Sequence, residues 1–134
     1  MVVKRGETGT YVKWLQQGLQ IMCCYDGTID STFGAGTESG VKKYQGKNGL
    51  DQDGMAGPAT WNCLMSDIQA IQAALKSKGY YKYGSVSGYA NDETYNSVLE
   101  FQGNNHLDKD GRVGPLTREL LFDTLTNDYA VLPM

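Results

Sequence analysis

The chain has 134 residues, with 12 basic and 15 acidic side chains for a formal charge of −3, and 40% hydrophobic against 20% charged residues. That balance is too apolar for a disordered chain, and its scattered Lys and Arg do not suit nucleic acid. No apolar run approaches the ~18 residues of a membrane span, and the opening residues lack the ~7–15-residue apolar core of a secretory signal, so synthesis in the cytoplasm is expected. Three cysteines, Cys23, Cys24 and Cys63, are an odd set with a vicinal pair. They make a poor disulfide framework and point to a reducing compartment, with Cys23 and Cys63 expected as small buried hydrophobes. The sole histidine, His106, lies far from them, so no metal or other cofactor is expected.

Val12, Leu15, Leu19 and Met22 fall at i, i+3, i+7 and i+10, the stripe of a helix opening near Thr8 or Thr10. A second helix is predicted from about Thr37, with Val41 and Tyr44 inward. A third begins at Gly57-Pro58, where proline at the first helical position loses no hydrogen bond, and carries Trp61, Leu64 and Met65 on its apolar side. The order then recurs. Ser66 and Gln69 form a capping box for a helix with Ile68, Ile71 and Leu75, stopped by Gly79. The next opens at Asp92 or Thr94 with Val98 and Phe101 inward, and the last at Gly114-Pro115 with Leu120, Leu121 and Leu125.

The recurrence is literal: VKKYQGKNGLDQDGMAGPATWNCL at 41–64 returns as VLEFQGNNHLDKDGRVGPLTRELL at 98–121. The chain therefore reads as all-α, two tandem three-helix units at 1–65 and 66–126 with a tail at 127–134. Units this small bury little core, so they are expected to pack on one another. Gly18, Gly40, Gly46 and Gly103 all fall within predicted helices, the last two at matched positions, and suggest close helix packing.

Lys4 to Leu19, Ile29 to Thr37 with its Phe33-Gly34 pair, Val41 to Leu50 and Asp53-Gly-Met-Ala-Gly-Pro-Ala-Thr-Trp61 resemble the peptidoglycan-binding domain 1 family of three-helix modules. The resemblance covers nearly all of the first unit and, from Asp67 to Leu121, most of the second. It implies a binding module that holds a lytic enzyme on the bacterial wall, as in phage endolysins, autolysins and spore-cortex hydrolases of Gram-positive hosts. Its implied partners are peptidoglycan or an associated wall glycan and a catalytic lysin domain in cis or trans, and its place of action is the wall, after release. A role as an assembly or regulatory subunit of a hydrolase, or as a homo-oligomer, stays open. The sequence departs from the family pattern where Asp30-Ser31 replaces the usual Asp-Gly, where Val86 to Asp92 lacks the Phe-Gly pair, and where Arg118 stands in place of Trp61.

Asp51 with Asp53, and Asp108 with Asp110, are the carboxylate pairs nearest to a catalytic or calcium motif. Each pair lies in one Asp-x-Asp-Gly turn, with Gly49 and His106 at the first ligand position of a calcium loop and Thr60 and Thr117 at the last, so turn formation is the expected role. Two repeats fill the sequence and leave no catalytic set, so the chain is not expected to be an enzyme by itself. Loop aromatics suit sugar rings, with amides and carboxylates for hydroxyl and amide groups. The candidate ligand contacts are Tyr25, Asp30, Phe33, Gln45 and Trp61 in the first unit and Tyr81, Tyr83, Tyr89 and Gln102 in the second. Tyr25 and Tyr81 serve equally as plugs of the bundle end, and Gln45 and Gln102 as helix-surface hydrogen bonders.

Overall fold

The computed structural model describes residues 1–123. It contains five helices: α1 (Thr10–Ile21), α2 (Ala35–Lys47), α3 (Pro58–Ser77), α4 (Asp92–Asn104) and α5 (Pro115–Leu121). Among the described residues the only β pairing is two isolated antiparallel bridges, Val3 with Ala56 and Thr8 with Thr32, which tie the N-terminal segment across the turns of the first unit. The all-α, duplicated architecture is the one expected. Leu125 and the tail at 127–134 lie outside the described residues, as does the end of the second unit at 126.

The apolar stripes bury as their spacing demands. Val12, Leu15 and Leu19 of α1, Val41 and Tyr44 of α2, Ile68, Ile71 and Leu75 of α3, and Val98 and Phe101 of α4 all lie in one core, joined by Trp61, Leu64 and Leu121. The units pack together through it. At their junction Val113 N–H donates to Ile21 O at 2.8 Å, Gln17 Nε2 donates to Ala90 O at 2.7 Å, and Lys13 Nζ sits 3.0 Å from Asp92 Oδ1.

One expectation is corrected. Ser66 and Gln69 form no capping box, because the last helix of the first unit runs without a break into the first helix of the second. From Ala59 to Lys78 there is no glycine or proline, and Leu64, Met65, Gln69, Ala70, Ala73 and Ala74 are good helix formers. Nothing in that run stops a helix, so a local start signal is overridden. α3 ends where it was expected to, at Gly79 with φ 86°, where Tyr80 N–H reaches back to Leu75 O at 2.8 Å.

The same closure ends α1, α2 and α4. Cys24 N–H donates to Leu19 O, Leu50 N–H to Gln45 O and Leu107 N–H to Gln102 O, at 2.7, 2.9 and 2.9 Å. The left-handed residue is Gly49 after α2 but Cys23 (φ 65°) after α1 and His106 (φ 59°) after α4. Side chains rarely adopt this conformation, so Cys23 is fixed at a strained turn and is only half-buried, as is Cys63. The buried thiol is Cys24, whose pKa burial pushes up, against the pull of the Lys47 and Lys43 charges.

The glycine expectation divides. A side chain at Gly18 would meet Leu64 Cδ2 of α3 at 3.1 Å, which is the close helix approach expected of such a residue. Gly46 and Gly103 face no helix. A Cβ there would meet the side chains of Gln52 and Lys109 at 3.0 and 3.1 Å, so this matched pair makes room for the turn that follows its own helix.

Candidate functional site

Four buried glutamines organise the turns. Gln16 of α1 has its Nε2 at 3.0 Å from Asp30 Oδ1, Thr32 O and Thr37 Oγ1, while its Oε1 accepts from the Asp30 and Ser31 N–H groups. Gln45 of α2 repeats the pattern with Asp53 Oδ1, Met55 O and Thr60 Oγ1, and accepts from Gly54 N–H. Gln102 of α4 does so with Asp110 Oδ1, Arg112 O and Thr117 Oγ1, accepting from Gly111 N–H. Gln72 of α3 engages Tyr89 O and Thr94 Oγ1 and accepts from Gly88 N–H. Each clamp joins a helix, the turn that follows it and a threonine in the first turn of the next helix. A primary amide supplies both the donors and the acceptor that a buried turn needs.

These clamps account for Asp53 and Asp110, the second aspartate of each pair, and for Asp30. Asp30, Asp53 and Asp110 each accept both the glutamine amide and the N–H two residues on, at Thr32, Met55 and Arg112. This is the turn-forming role read from the Asp-Gly sequences. In the fourth turn Ser87 Oγ takes the place of the carboxylate and accepts from Tyr89 N–H at 3.1 Å. The residue after the acceptor has positive φ throughout: 75° at Gly54, 88° at Gly88, 75° at Gly111 and 63° at Ser31. Ser31→Gly is therefore expected to stabilise the chain by about 0.5–1 kcal/mol, the relief of a left-handed side chain less the added freedom of glycine when unfolded. Denaturant unfolding measures it, and a loss of stability would contradict this reading of the turn.

Hydrogen bonding holds two of these carboxyls below their ordinary pKa. For Asp30 the main cause is the Gln16 amide, followed by Thr32 N–H; for Asp53 it is Met55 N–H, followed by the Gln45 amide. A folded pKa below the unfolded one means these groups bind protons more readily when unfolded, so their contribution is complete above the ordinary aspartate range and fades as pH falls through the depressed folded values. The melting temperature should thus fall on acidification below about pH 4, less steeply in Asp53→Asn. Equal slopes for the two proteins would contradict the assignment.

The nine candidate contacts are not brought together. Phe33 and Trp61 are buried in the core, and Gln45 and Gln102 are the clamps just described. Tyr25 and Tyr81, at matched positions, are buried plugs whose hydroxyls donate to Thr28 O and Ser85 O. Burial raises the Tyr25 pKa. Asp30 is exposed but committed to its turn. Tyr83 stands out from the surface, 90% exposed, on a loop pinned by Glu93, whose carboxylate accepts from the N–H groups of Lys82, Tyr83 and Gly84. Half-buried Tyr89 joins Tyr11, Trp14 and Trp61 in an aromatic seam across the two units, with ring centroids 5.2–6.4 Å apart.

Sequence reasoning did not single out Glu93 or Tyr11, which is 46% exposed at the edge of the seam, and it placed the four clamp threonines only as helix starts or the end of a calcium-like loop. The threonines carried a signal, since each lies at a fixed distance after its Asp-Gly or its variant. Grooves open beside the matched turns. One of about 420 Å³ is lined in the first unit by Asp51, Asp53, Met55 and Pro58, and another of about 420 Å³ in the second by Asp108, Asp110, Arg112 and Pro115.

Two like units of helices joined by amide-clamped turns, with grooves at those turns, define a duplicated small helical module. The family described as "Putative peptidoglycan binding domain" matches residues 8–64 and again residues 65–121, and the chain belongs to that family. Its relatives include a spore cortex-lytic enzyme of Bacillus cereus, 39% identical over 68% of this chain and 35% of that protein. An N-acetylmuramoyl-L-alanine amidase of Mycobacterium tuberculosis is 28% identical over 67% of this chain and 27% of that protein. The crystal structure of a Burkholderia AP3 phage endolysin is similar at 30% identity and a TM-score of 0.45, over 57% of this chain and 33% of that one. The chain thus spans about a third of the length of these relatives. No helix among the described residues is long and apolar enough to cross a membrane.

Proposed function

We propose that this chain is a non-catalytic wall-binding region that holds a peptidoglycan-lytic activity, in the manner of an endolysin or autolysin, on the bacterial cell wall. The observation that carries the reading is the doubled family match over nearly the whole described chain. Gln45, Gln102, Asp53 and Asp110, the groups best placed for chemistry by residue type, are hydrogen-bonded within the turns. The relatives named as lytic enzymes extend well beyond the matched region, which suits a division between a binding part and a catalytic part.

Tandem binding units raise the local concentration of an attached enzyme at its polymer. Fusing the chain to a muralytic domain that lacks its own wall-binding region tests this. Lysis of purified walls by the fusion is expected to outpace the same domain alone at low enzyme concentration, and equal rates would contradict the targeting role.

A further inference from the structure

The grooves at the junction of the two units share a rim that neither unit supplies alone. One, of about 310 Å³, runs between Cys24, Tyr25, Lys43 and Arg112. The other, of about 420 Å³, runs between Met22, Lys47, Val113 and Arg118. Both open onto the Cys23–Cys24 turn that closes α1. Lys43 and Lys47 lie one turn apart on α2, so their ammonium groups follow the same edge. Arg112 and Arg118 come from the second unit, on the turn before α5 and on α5 itself.

Four cations thus line two adjoining grooves of a chain whose net charge is −3. Two carboxylates share these grooves. Asp67 accepts the Tyr44 hydroxyl, and Asp26, with its side chain 85% exposed, reaches Arg112 only at 4.0 Å. These two negative charges offset only part of the rim's four positive ones, and an exposed contact as long as that of Asp26 is weak. At Arg118 the second unit departs from Trp61 of the first, replacing a core aromatic with a cation. The floor, with Met22 and Val113, is apolar.

We propose that this inter-unit cleft binds the carboxylate-bearing peptide stems of peptidoglycan, with Arg112 and Arg118 gripping carboxylates, Lys43 and Lys47 adding charge, and the floor taking short aliphatic side chains. The planar guanidinium fork matches a carboxylate with two parallel hydrogen bonds, and the lysines act as point charges. Because the rim is split between the units, the site exists only in the tandem arrangement. The proposal rests on the wall-binding reading above and specifies what is recognised.

The test uses the full 134-residue chain and two double variants, Lys43→Gln with Lys47→Gln and Arg112→Gln with Arg118→Gln, with thermal unfolding to confirm that each is folded. Each double variant is expected to bind purified peptidoglycan about tenfold more weakly, the scale of one or two charge-assisted contacts. A soluble disaccharide tetrapeptide should shift amide resonances of residues 22–24, 43–47 and 112–118, less so when its carboxylates are amidated. Unchanged binding by both folded variants, or shifts confined to other residues, would overturn the cleft and leave the wall-binding reading standing. Binding lost when phosphodiester polymers are stripped from the walls with hydrogen fluoride would also overturn it, by making a teichoic polymer the ligand. Failure of the unmodified chain to bind any wall preparation would remove the reading on which the cleft rests.

Discussion

Gln45→Ala is expected to lower the unfolding free energy by about 2–4 kcal/mol. Its side chain is 1% exposed and lies within 3.0 Å of Asp53 Oδ1, Met55 O and Thr60 Oγ1, while accepting from Gly54 N–H. Truncation leaves those groups without their shared partner, and of them Gly54 and Thr60 are buried. The usual net worth of a hydrogen bond is about 1 kcal/mol, and stranding buried groups adds to that loss. Gln45→Glu keeps the volume but turns the donor into an acceptor facing the Asp53 carboxylate, so it should also destabilise. Denaturant unfolding of both variants measures the effect. A loss below about 1 kcal/mol for the alanine variant, or native stability in the glutamate variant, would mean that the clamp does not hold the turn.

Ser66→Pro is expected to cost about 3 kcal/mol or more, because it removes an interior hydrogen bond of α3 and sets the proline ring against the preceding turn. Ser66 is exposed and no side-chain hydrogen bond to it is described, so the effect isolates the backbone. Ser66→Ala is the control. In an unbroken helix it should be neutral or slightly stabilising, whereas loss of an N-cap serine would cost about 1 kcal/mol. Because α3 carries Trp61 and Leu64 into the first unit and Ile68, Ile71 and Leu75 into the second, the kink should separate the unfolding of the two units. A single unshifted transition in the proline variant would contradict a continuous α3.

Much of this fold was legible in the chain. Val12, Leu15 and Leu19 in the first unit, and Ile68, Ile71 and Leu75 in the second, bury on helical spacing, and Pro58 and Pro115 open their helices as a residue without an N–H should. The break expected at Ser66 misled because a capping box is a local signal, worth about 1 kcal/mol, set against a helix of 20 residues with no glycine, and no proline after its first position, packed on both sides. Cys23, Ser31 and His106 were not read as left-handed residues, since that conformation is signalled by glycine and these positions lack it.

The candidate site was less legible, for a different reason. Residue type says what a side chain can bind but not whether the fold has already bound it. Gln45 and Gln102 look like surface amides on a helix and are interior clamps; Tyr25 and Tyr81 look like loop aromatics and are plugs that hydrogen-bond their own loops. The clamp carried a readable sign, since Asp30, Asp53 and Asp110 each stand seven residues before a threonine, Thr37, Thr60 or Thr117. Its fourth occurrence, with Ser87 before Thr94, replaces the aspartate with serine and hides the pattern from residue type alone.

The central claim, that this tandem module binds the bacterial wall, is tested most directly by co-sedimentation of the intact chain with purified, protein-free peptidoglycan. The folded chain should move saturably from the supernatant to the pellet and remain in the supernatant with an inert insoluble polysaccharide of equal mass. A folded chain that stays in the supernatant with walls from spore-forming, mycobacterial and Burkholderia sources alike would contradict the account.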